Sequence, residues 1–438
     1  MPRKRRSPFP QTLSLSLNAV LTLTLSFIML TQLLTATALA EGRYAKAPLS
    51  ELSAVKAWAL KDAERFWVKG ESEVFFYDKS SYPGNEPIPS LQWKSLDGFL
   101  AFFYGALALP EGSEELLRGG RIRLIVTKTP LTFAFDTHGG VKPLKKNVEL
   151  VTAKVNSPGI ETTGSPFALG QWIDAGRWHK DVVSLSSWSR YSYGEGINAS
   201  RIWLADRFRE LPGFQVSEFP FAMPGGGNSN VIARMEGKSR PEDVYIIGAH
   251  YDSISEIPTR TAPGAEDNAS GVAGLLAIAR VFADYPPDAT LIFVGFSGEE
   301  QGLYGSRAWT RDWLKNGNEK TIKAVLIMDM IGYSGDDEQD VLLETSALTK
   351  PLLADIQRAR ADAELIVSES FDYWGSDHEP FLDNGIPAIL FIEDDYLDYP
   401  YYHRSTDTAD HMHLTLGPKI LRLMTDSLGQ WVFDATTN

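Results

Sequence analysis

From about residue 175 onward, short predominantly apolar runs alternate with longer stretches of helical periodicity, and this alternation narrows the folds open to the chain. The runs at 230–235, 244–248, 289–296, 324–330 and 388–392 have strand length, whereas 197–211, 271–285, 304–315, 350–361 and 418–433 repeat their apolar residues at helical spacing. A strand with no polar side needs cover on both faces. The expected fold is therefore α/β, a mainly parallel (mixed) sheet sandwiched between helices. In such sheets the functional groups gather beyond the carboxyl ends of the strands.

Chemistry-bearing residues lie at those ends. His250 and Asp252 follow the run 244–248, and the adjacent acids Glu299 and Glu300 follow 289–296. Asp329 is set in the apolar end of 324–330, Asp267 in the polar loop before the helix at 271–285, and His403 in a Tyr-rich loop after 388–392. Two neighbouring acids at the end of a buried strand are costly unless a cation offsets them. The pattern points to a metal-dependent hydrolase. His250, Asp267, Glu300, Asp329 and His403 are suited to holding a pair of Zn²⁺ ions, which leaves Glu299 to handle protons and Asp252 to orient the His250 ring from behind. With no cysteine anywhere, thiolate ligands, thiol nucleophiles and disulfides are excluded.

Each residue also has a plainer reading. Asp267 sits in Ala265-Glu266-Asp267-Asn268-Ala269-Ser270, where acids and Ser are ordinary helix caps. A lone His among tyrosines is usually structural. It is the joint set that argues for a metal site.

The 438 residues are 43% hydrophobic, enough for one large core and a smaller companion. Residues 1–40 begin with Arg3, Lys4, Arg5 and Arg6, continue through a long apolar stretch, and end in Ala38-Leu39-Ala40. This reads as an export signal, with an uncleaved anchor as the competing reading. The expected location is periplasmic or extracellular, with the mature chain starting near Glu41. Without the signal, 38 basic residues stand against 56 acidic ones, a formal charge of −18. Such a surface disfavours nucleic acid and anionic membranes and attracts cations, including free amino termini. Residues 42–170 read as a smaller N-terminal α+β domain, either accessory or a prosegment. They contain a helix at 52–67, an apolar segment at 99–109, and strands at 121–127 and 148–155. Turn-rich stretches at 156–159 and 163–166 form a linker to a domain spanning 175–438.

Taken in order, His250-Tyr251-Asp252-Ser253, the loop 263–271, Gly298-Glu299-Glu300, Asp329-Met330, Ser376-Asp377-His378 and Tyr402-His403 resemble the zinc aminopeptidases of the M28 family, particularly the bacterial leucyl aminopeptidase type. The resemblance covers roughly residues 180–436. It implies two zinc ions per chain, bridged by Asp267, with His250 and Asp329 completing one site and Glu300 and His403 the other. It also implies Glu299 as general base, Tyr373 as oxyanion partner, and peptide or protein N-termini as substrate, with large apolar first residues preferred. His378 and Asp377 are assigned to pocket support or a helix start, and His411 and His413 to the surface. Phe371, Trp374, Tyr399 and Tyr401 are candidates either for a side-chain pocket or for packing, and Glu393-Asp394-Asp395 reads as a solvated loop, with recognition of the substrate amine as the alternative. Members of the bacterial leucyl type often carry a Cys pair near the position of Tyr373, which this chain lacks. The alternatives are a single-zinc glutaminyl cyclase and a catalytically inactive binding module of the same fold.

Overall fold

A computed structural model of the chain describes residues 38–433, apart from 60, 62–64, 71–72, 80–93, 106–108, 129–134, 137–138, 151–167, 318–320, 337 and 360–364. The expected export signal and the two turn-rich linker stretches fall outside the described residues, except that Ala38–Ala40 begin the first strand. Among the described residues no helix is long and apolar enough to cross a membrane.

The N-terminal part forms one sheet from β1 (Ala38–Pro48), β2 (Arg65–Lys69), β3 (Glu73–Asp78), β4 (Lys94–Tyr104), β5 (Ser113–Gly119), β6 (Ile122–Thr127), β7 (Phe135–Asp136), β8 (Gly139–Pro143) and β9 (Val148–Glu149). Its order is β5-β6-β4-β1-β3-β2-β9, with β8 also paired to β4 and β7 to β8. Every pair is antiparallel except β2 with β9. A helix, α1 (Leu52–Ala59), crosses one face. The predicted helix at 52–67 thus ends early. Phe66-Trp67-Val68 are bulky residues that favour a pleated strand, and they pair with β3 instead.

Period-two alternation decides how this sheet is used. Val74 and Phe76 of β3 face α1, where they meet Val55 and Trp58. Phe75 and Tyr77 face the other way and join a cluster that runs on into the C-terminal part of the chain. Both faces are covered, so this sheet lies against the rest of the molecule as a layer of its core.

The second sheet holds β10 (Gln215–Met223), β11 (Gly226–Met235), β12 (Arg240–His250), β13 (Ala289–Phe296), β14 (Ile322–Met328), β15 (Asp340–Glu344), β16 (Ile366–Ser370) and β17 (Ala388–Ile392). The order is β10-β11-β13-β12-β14-β17-β15-β16. The central run β13-β12-β14-β17 is parallel, and antiparallel pairs join β11 and β15 to it. The expected mainly parallel, mixed sheet is what forms.

Helices α2 (Ala175–Leu185), α3 (Gly196–Arg209), α4 (Gly271–Asp284), α5 (Tyr304–Lys315), α6 (Lys350–Ala359), α7 (Glu379–Leu382) and α8 (Leu416–Val432) cover it. Residues Leu291 and Phe293 of β13 pack with α2, α3, α4, α6 and α8 on one face. Ile292, Val294 and Phe296 point to the other face, which is shared by α5, α7 and the N-terminal sheet. Every residue of β13 is buried, and truncating Phe293 to Ala would cost about 3–5 kcal/mol.

Candidate metal centre

The candidate ligands converge where the parallel strands end. His250 is the last residue of β12, Asp329 follows β14 directly, and Glu299 and Glu300 lie just beyond β13. Asp267 comes from the irregular turn Ala265–Ser270 that leads into α4, and the Asp267–Asn268 peptide bond is cis. His403 comes from the loop after β17. All six are buried or nearly so.

Asp267 stands between the two imidazoles. Its Oδ1 is 3.4 Å from His250 Nε2 and its Oδ2 is 3.0 Å from His403 Nε2. Asp329 Oδ1 lies 3.2 Å from His250 Nε2, and Glu300 Oε2 lies 3.1 Å from His403 Nε2. Glu299 Oε2 is 4.0 Å from His250 Nε2, so this acid reaches the His250–Asp329 group as well. Donor atoms of His250, Glu299 and Asp329, and likewise of His250, Asp267 and Glu300, lie within 4.8 Å of one another.

Charge makes the case for cations. Four carboxylates face two imidazoles, so the fully ionised cluster carries an excess of negative charge, and it is shielded from water. Burying such an excess is unfavourable unless cations balance it. An all oxygen and imidazole donor set suits divalent zinc.

Among the protein groups alone, these acids and bases pull hard on one another. Burial opposes the charged His250 ring, yet Asp329 and Glu299 outweigh it and raise its pKa well above the ordinary value. His403 is likewise raised to about 10, burial being overcome by Glu300 and Asp267. Burial works against the Asp267 carboxylate, but the two imidazoles hold its pKa far below the usual range. Burial raises Glu299 well above its ordinary value, opposed by His250 and reinforced by Asp329 and Glu300. Glu300 rises to about 7, through burial and then Asp267.

Supporting groups hold this cluster from behind. Asp252 is fully buried. Its Oδ1 accepts the backbone N–H of Glu299 and its Oδ2 that of Glu300, each at 3.3 Å. Ser192 donates to Oδ2 at 2.9 Å, while His250 Nδ1 pairs with the Asp252 main-chain carbonyl at 3.2 Å and lies 3.7 Å from Oδ1. Asp252 therefore fixes both the imidazole and the acid pair. Ser376 donates to Asp329 Oδ2 at 2.6 Å.

Two further residues, Asp407 and Arg190, were not singled out from the sequence. Asp407 accepts the N–H groups of Glu266 and Asp267 at 2.9 and 3.1 Å and the Tyr399 hydroxyl at 2.6 Å. Arg190 is fully buried and donates to the carbonyls of Tyr251, Leu185, Pro263 and Gly264, tying the His250 strand end to the Asp267 loop. Gly264 has φ +52, and a Cβ there would meet Asp267 O at 2.3 Å, so the loop requires glycine. Met330 and His403 also adopt φ of 53 and 55, a left-handed conformation that the packed surroundings maintain.

The other predicted positions are distributed as follows. Tyr373 stacks edge-on to His378 at 6.2 Å, and its hydroxyl donates to exposed Asp383 at 3.3 Å. Trp374 does line the metal cavity, together with Tyr396 and Tyr402. Asp377 and His378 are fully buried, and His378 directly precedes α7. His411 and His413 are half-buried; His411 stacks on Tyr401 at 3.7 Å and His413 lies near Gln339 and Thr415. Glu393 is no solvated loop residue. It is buried beside Glu266, and burial raises both acids, Glu266 to about 8.

Residues 230–427 match the family model described as Peptidase family M28. A probable aminopeptidase of Saccharomyces cerevisiae is 29% identical over 59% of this chain and 74% of its own length. A probable zinc metalloprotease of Pyrenophora tritici-repentis is also 29% identical, over 48% of this chain and 59% of its own. Among solved structures, an aminopeptidase from Aneurinibacillus sp. strain AM-1 superposes with a TM-score of 0.54 at 19% identity, covering 61% of this chain and 96% of that one. A glutaminyl cyclase from an Acidobacteriales bacterium gives 0.50 at 22%, covering 58% and 94%. Those two likenesses establish the shared fold. Residues 230–427 therefore form a segment similar to peptidase family M28.

Proposed function

We propose that this chain is an M28 peptidase, an exported di-zinc aminopeptidase that removes large apolar residues from the N-termini of peptides. The observation that carries the reading is the Asp267 carboxylate, with one oxygen toward His250 and the other toward His403, flanked by Asp329 and Glu300. His250, Asp329 and Asp267 would hold one zinc, and Asp267, Glu300 and His403 the other. Bound zinc would supply Lewis acidity for the scissile carbonyl and acidify the attacking water.

Glu299 then acts as general base, taking a proton from that water and returning it to the departing amine. Asp252 keeps the carboxylate in place through the backbone N–H of Glu299. The free amino terminus of the substrate suits the acidic balance of the chain, 56 Asp and Glu against 42 Lys and Arg. Met330, Ile392 and Trp374 on the cavity wall favour an apolar side chain. Export rests on the basic start, apolar run and small-residue end of residues 1–40, and sequencing the N-terminus of the secreted chain tests it.

Metal analysis with turnover tests the whole. We expect close to two zinc ions per chain, hydrolysis of leucine-type amides or anilides, loss of activity on chelation, and no cleavage once the substrate amine is acetylated. One zinc with cyclisation of N-terminal Gln would establish the cyclase reading, which the shared fold keeps in view. Two zinc ions without turnover on any peptide would establish an inactive binding module.

A further inference from the structure

One residue of the N-terminal sheet reaches the metal cavity. Strands β5 and β6 pair through Gly119 and Ile122, leaving the two-residue loop Gly120-Arg121. Gly120 has φ +53, so glycine at the first loop position matches the tight primed turns that suit twisted hairpins. Hairpin tips normally face water. Here Gly119, Gly120, Arg121 and Ile122 are all buried, and Arg121 is only 3% exposed.

The tip is inserted beyond the strand ends of the large sheet, where Arg121 lines the same cavity as Asp267, Glu300 and His403. Its guanidinium lies over the Trp374 ring at 4.1 Å, donates to the Trp374 carbonyl, and places Nε 3.2 Å from Glu344 Oε2. Glu344 ends β15 and is fully buried. Its Oε1 accepts the Trp374 N–H at 2.9 Å and lies 3.3 Å from His378 Nε2.

Neighbouring contacts fasten the two parts together around this point. Tyr104 donates to Asp372 at 2.7 Å, Lys145 to the same carboxylate at 2.6 Å, and Arg118 to Asp398 at 2.8 Å. The N-terminal sheet thus contributes Arg121 to the wall of the cavity.

Resting on the aminopeptidase reading, we propose that Arg121 closes the substrate side-chain pocket and, by neutralising Glu344 behind it, makes that pocket reject cationic side chains. The N-terminal domain is then a standing part of the enzyme that sets specificity, not a segment discarded on activation. The walls left to a substrate side chain are Met330, Trp374, Ile392, Tyr396 and Tyr402, with Arg121 beside them. An apolar side chain fits that lining. A lysine would bring its ammonium to a guanidinium whose carboxylate is already paired, and a buried charge without a partner is strongly disfavoured. Removing the Arg121 side chain opens the pocket onto Glu344 and reverses the preference.

The test compares anilides of norleucine and lysine, which share a stem and differ in charge. In the wild-type full chain loaded with zinc, kcat/KM for norleucine should exceed that for lysine at least 100-fold. In Arg121→Ala the lysine-to-norleucine ratio should rise at least tenfold, and Arg121→Ala combined with Glu344→Gln should lose that gain. A wild type that cuts both equally overturns the proposal whether or not the variants fold. So does an Arg121→Ala ratio that stays put, or an equal acceleration on both substrates, which would make the hairpin an inhibitory plug. Inactivity of the wild type on every anilide sinks the aminopeptidase reading and this inference with it.

Discussion

Arg190 offers the sharpest test of how the metal cluster is held. Its guanidinium serves four buried carbonyls, at 2.9 Å for Tyr251, 3.1 Å for Leu185, 2.7 Å for Gly264, and one closer contact to Pro263. Burial lowers its pKa to about 10, opposed by Asp407 and Asp267, so it stays charged at neutral pH. Arg190→Met fills much of the volume but returns no donor. Four acceptors would lose their partners at about 1–1.5 kcal/mol each, or on the order of 4–6 kcal/mol together. For a domain of this size each kcal/mol shifts Tm by about 2–4 °C, so calorimetry should show a fall of roughly 10–20 °C. Arg190→Lys restores a charge with fewer well-aimed donors and should lose less than Met does. Because Tyr251 adjoins His250 and Gly264 lies near Asp267, Arg190→Met should also weaken zinc retention against a chelator at least tenfold, as outer supports of metal sites do. A Tm within about 3 °C of wild type, with zinc held as before, would refute the idea that this side chain ties the two ligand segments together.

Glu299→Gln should keep the wild-type zinc content by metal analysis and lower kcat by at least about 10²-fold; unchanged kcat would remove Glu299 from proton transfer. Tyr373→Phe measures whether the oxyanion role belongs to this tyrosine: with its hydroxyl on exposed Asp383, kcat should change less than about threefold, whereas a fall of tenfold or more would mean the ring swings to the metals during turnover. Asp426 gives a pH test away from the site. Burial raises its pKa from 3.8 to about 6, against the Gly170 N–H and Arg422. Its stabilising contribution is therefore complete below pH 3.8 and lost as pH rises through 6. Asp426→Asn keeps an acceptor for Gly170 and should stabilise the protein above pH 6 by on the order of 1–2 kcal/mol after allowance for partial screening, with no gain near pH 4. Melting curves at the two pH values decide it, and an equal shift at both would contradict the assignment.

The fold was legible where burial left a repeating mark. Strand β17, nearly all of β13, and the buried stretches Val244–Ala249 of β12 and Ala324–Met328 of β14 are apolar because helices or the other sheet cover both faces, and composition alone locates them. Three strands of the second sheet escaped. β10 is an edge strand whose residues are largely exposed or half-exposed, so it carries polar groups and Pro220 and has no apolar signature. β15 and β16 are five residues each, and acidic or hydroxyl groups at their ends break the pattern. The metal-cluster residues were legible for a related reason. Acids and imidazoles at the ends of buried strands are conspicuous against their surroundings, and their joint occurrence exceeds what caps and turns explain.

Residues that act through another segment's backbone leave no such mark. Asp407 follows His403 by four positions and resembles any acid in a turn, yet it organises a loop 140 residues earlier in the chain through two N–H groups. Arg190 stands in a Ser- and Tyr-rich stretch, and its partners are carbonyls, to which the local sequence is silent. Arg121 is the extreme case. Gly119-Gly120-Arg121 announces a turn, and turns are expected at the surface. Its place in the cavity depends on the N-terminal sheet lying against the larger one, which the alternation of Val74, Phe75, Phe76 and Tyr77 hints at by being apolar on both sides. A strand buried on two faces must have two neighbours, and only one, α1, lies close by in sequence. The second had to be the peptidase domain itself. Once that contact is granted, the buried Glu344 requires a cation on the facing surface, and the hairpin tip is where the N-terminal sheet supplies one.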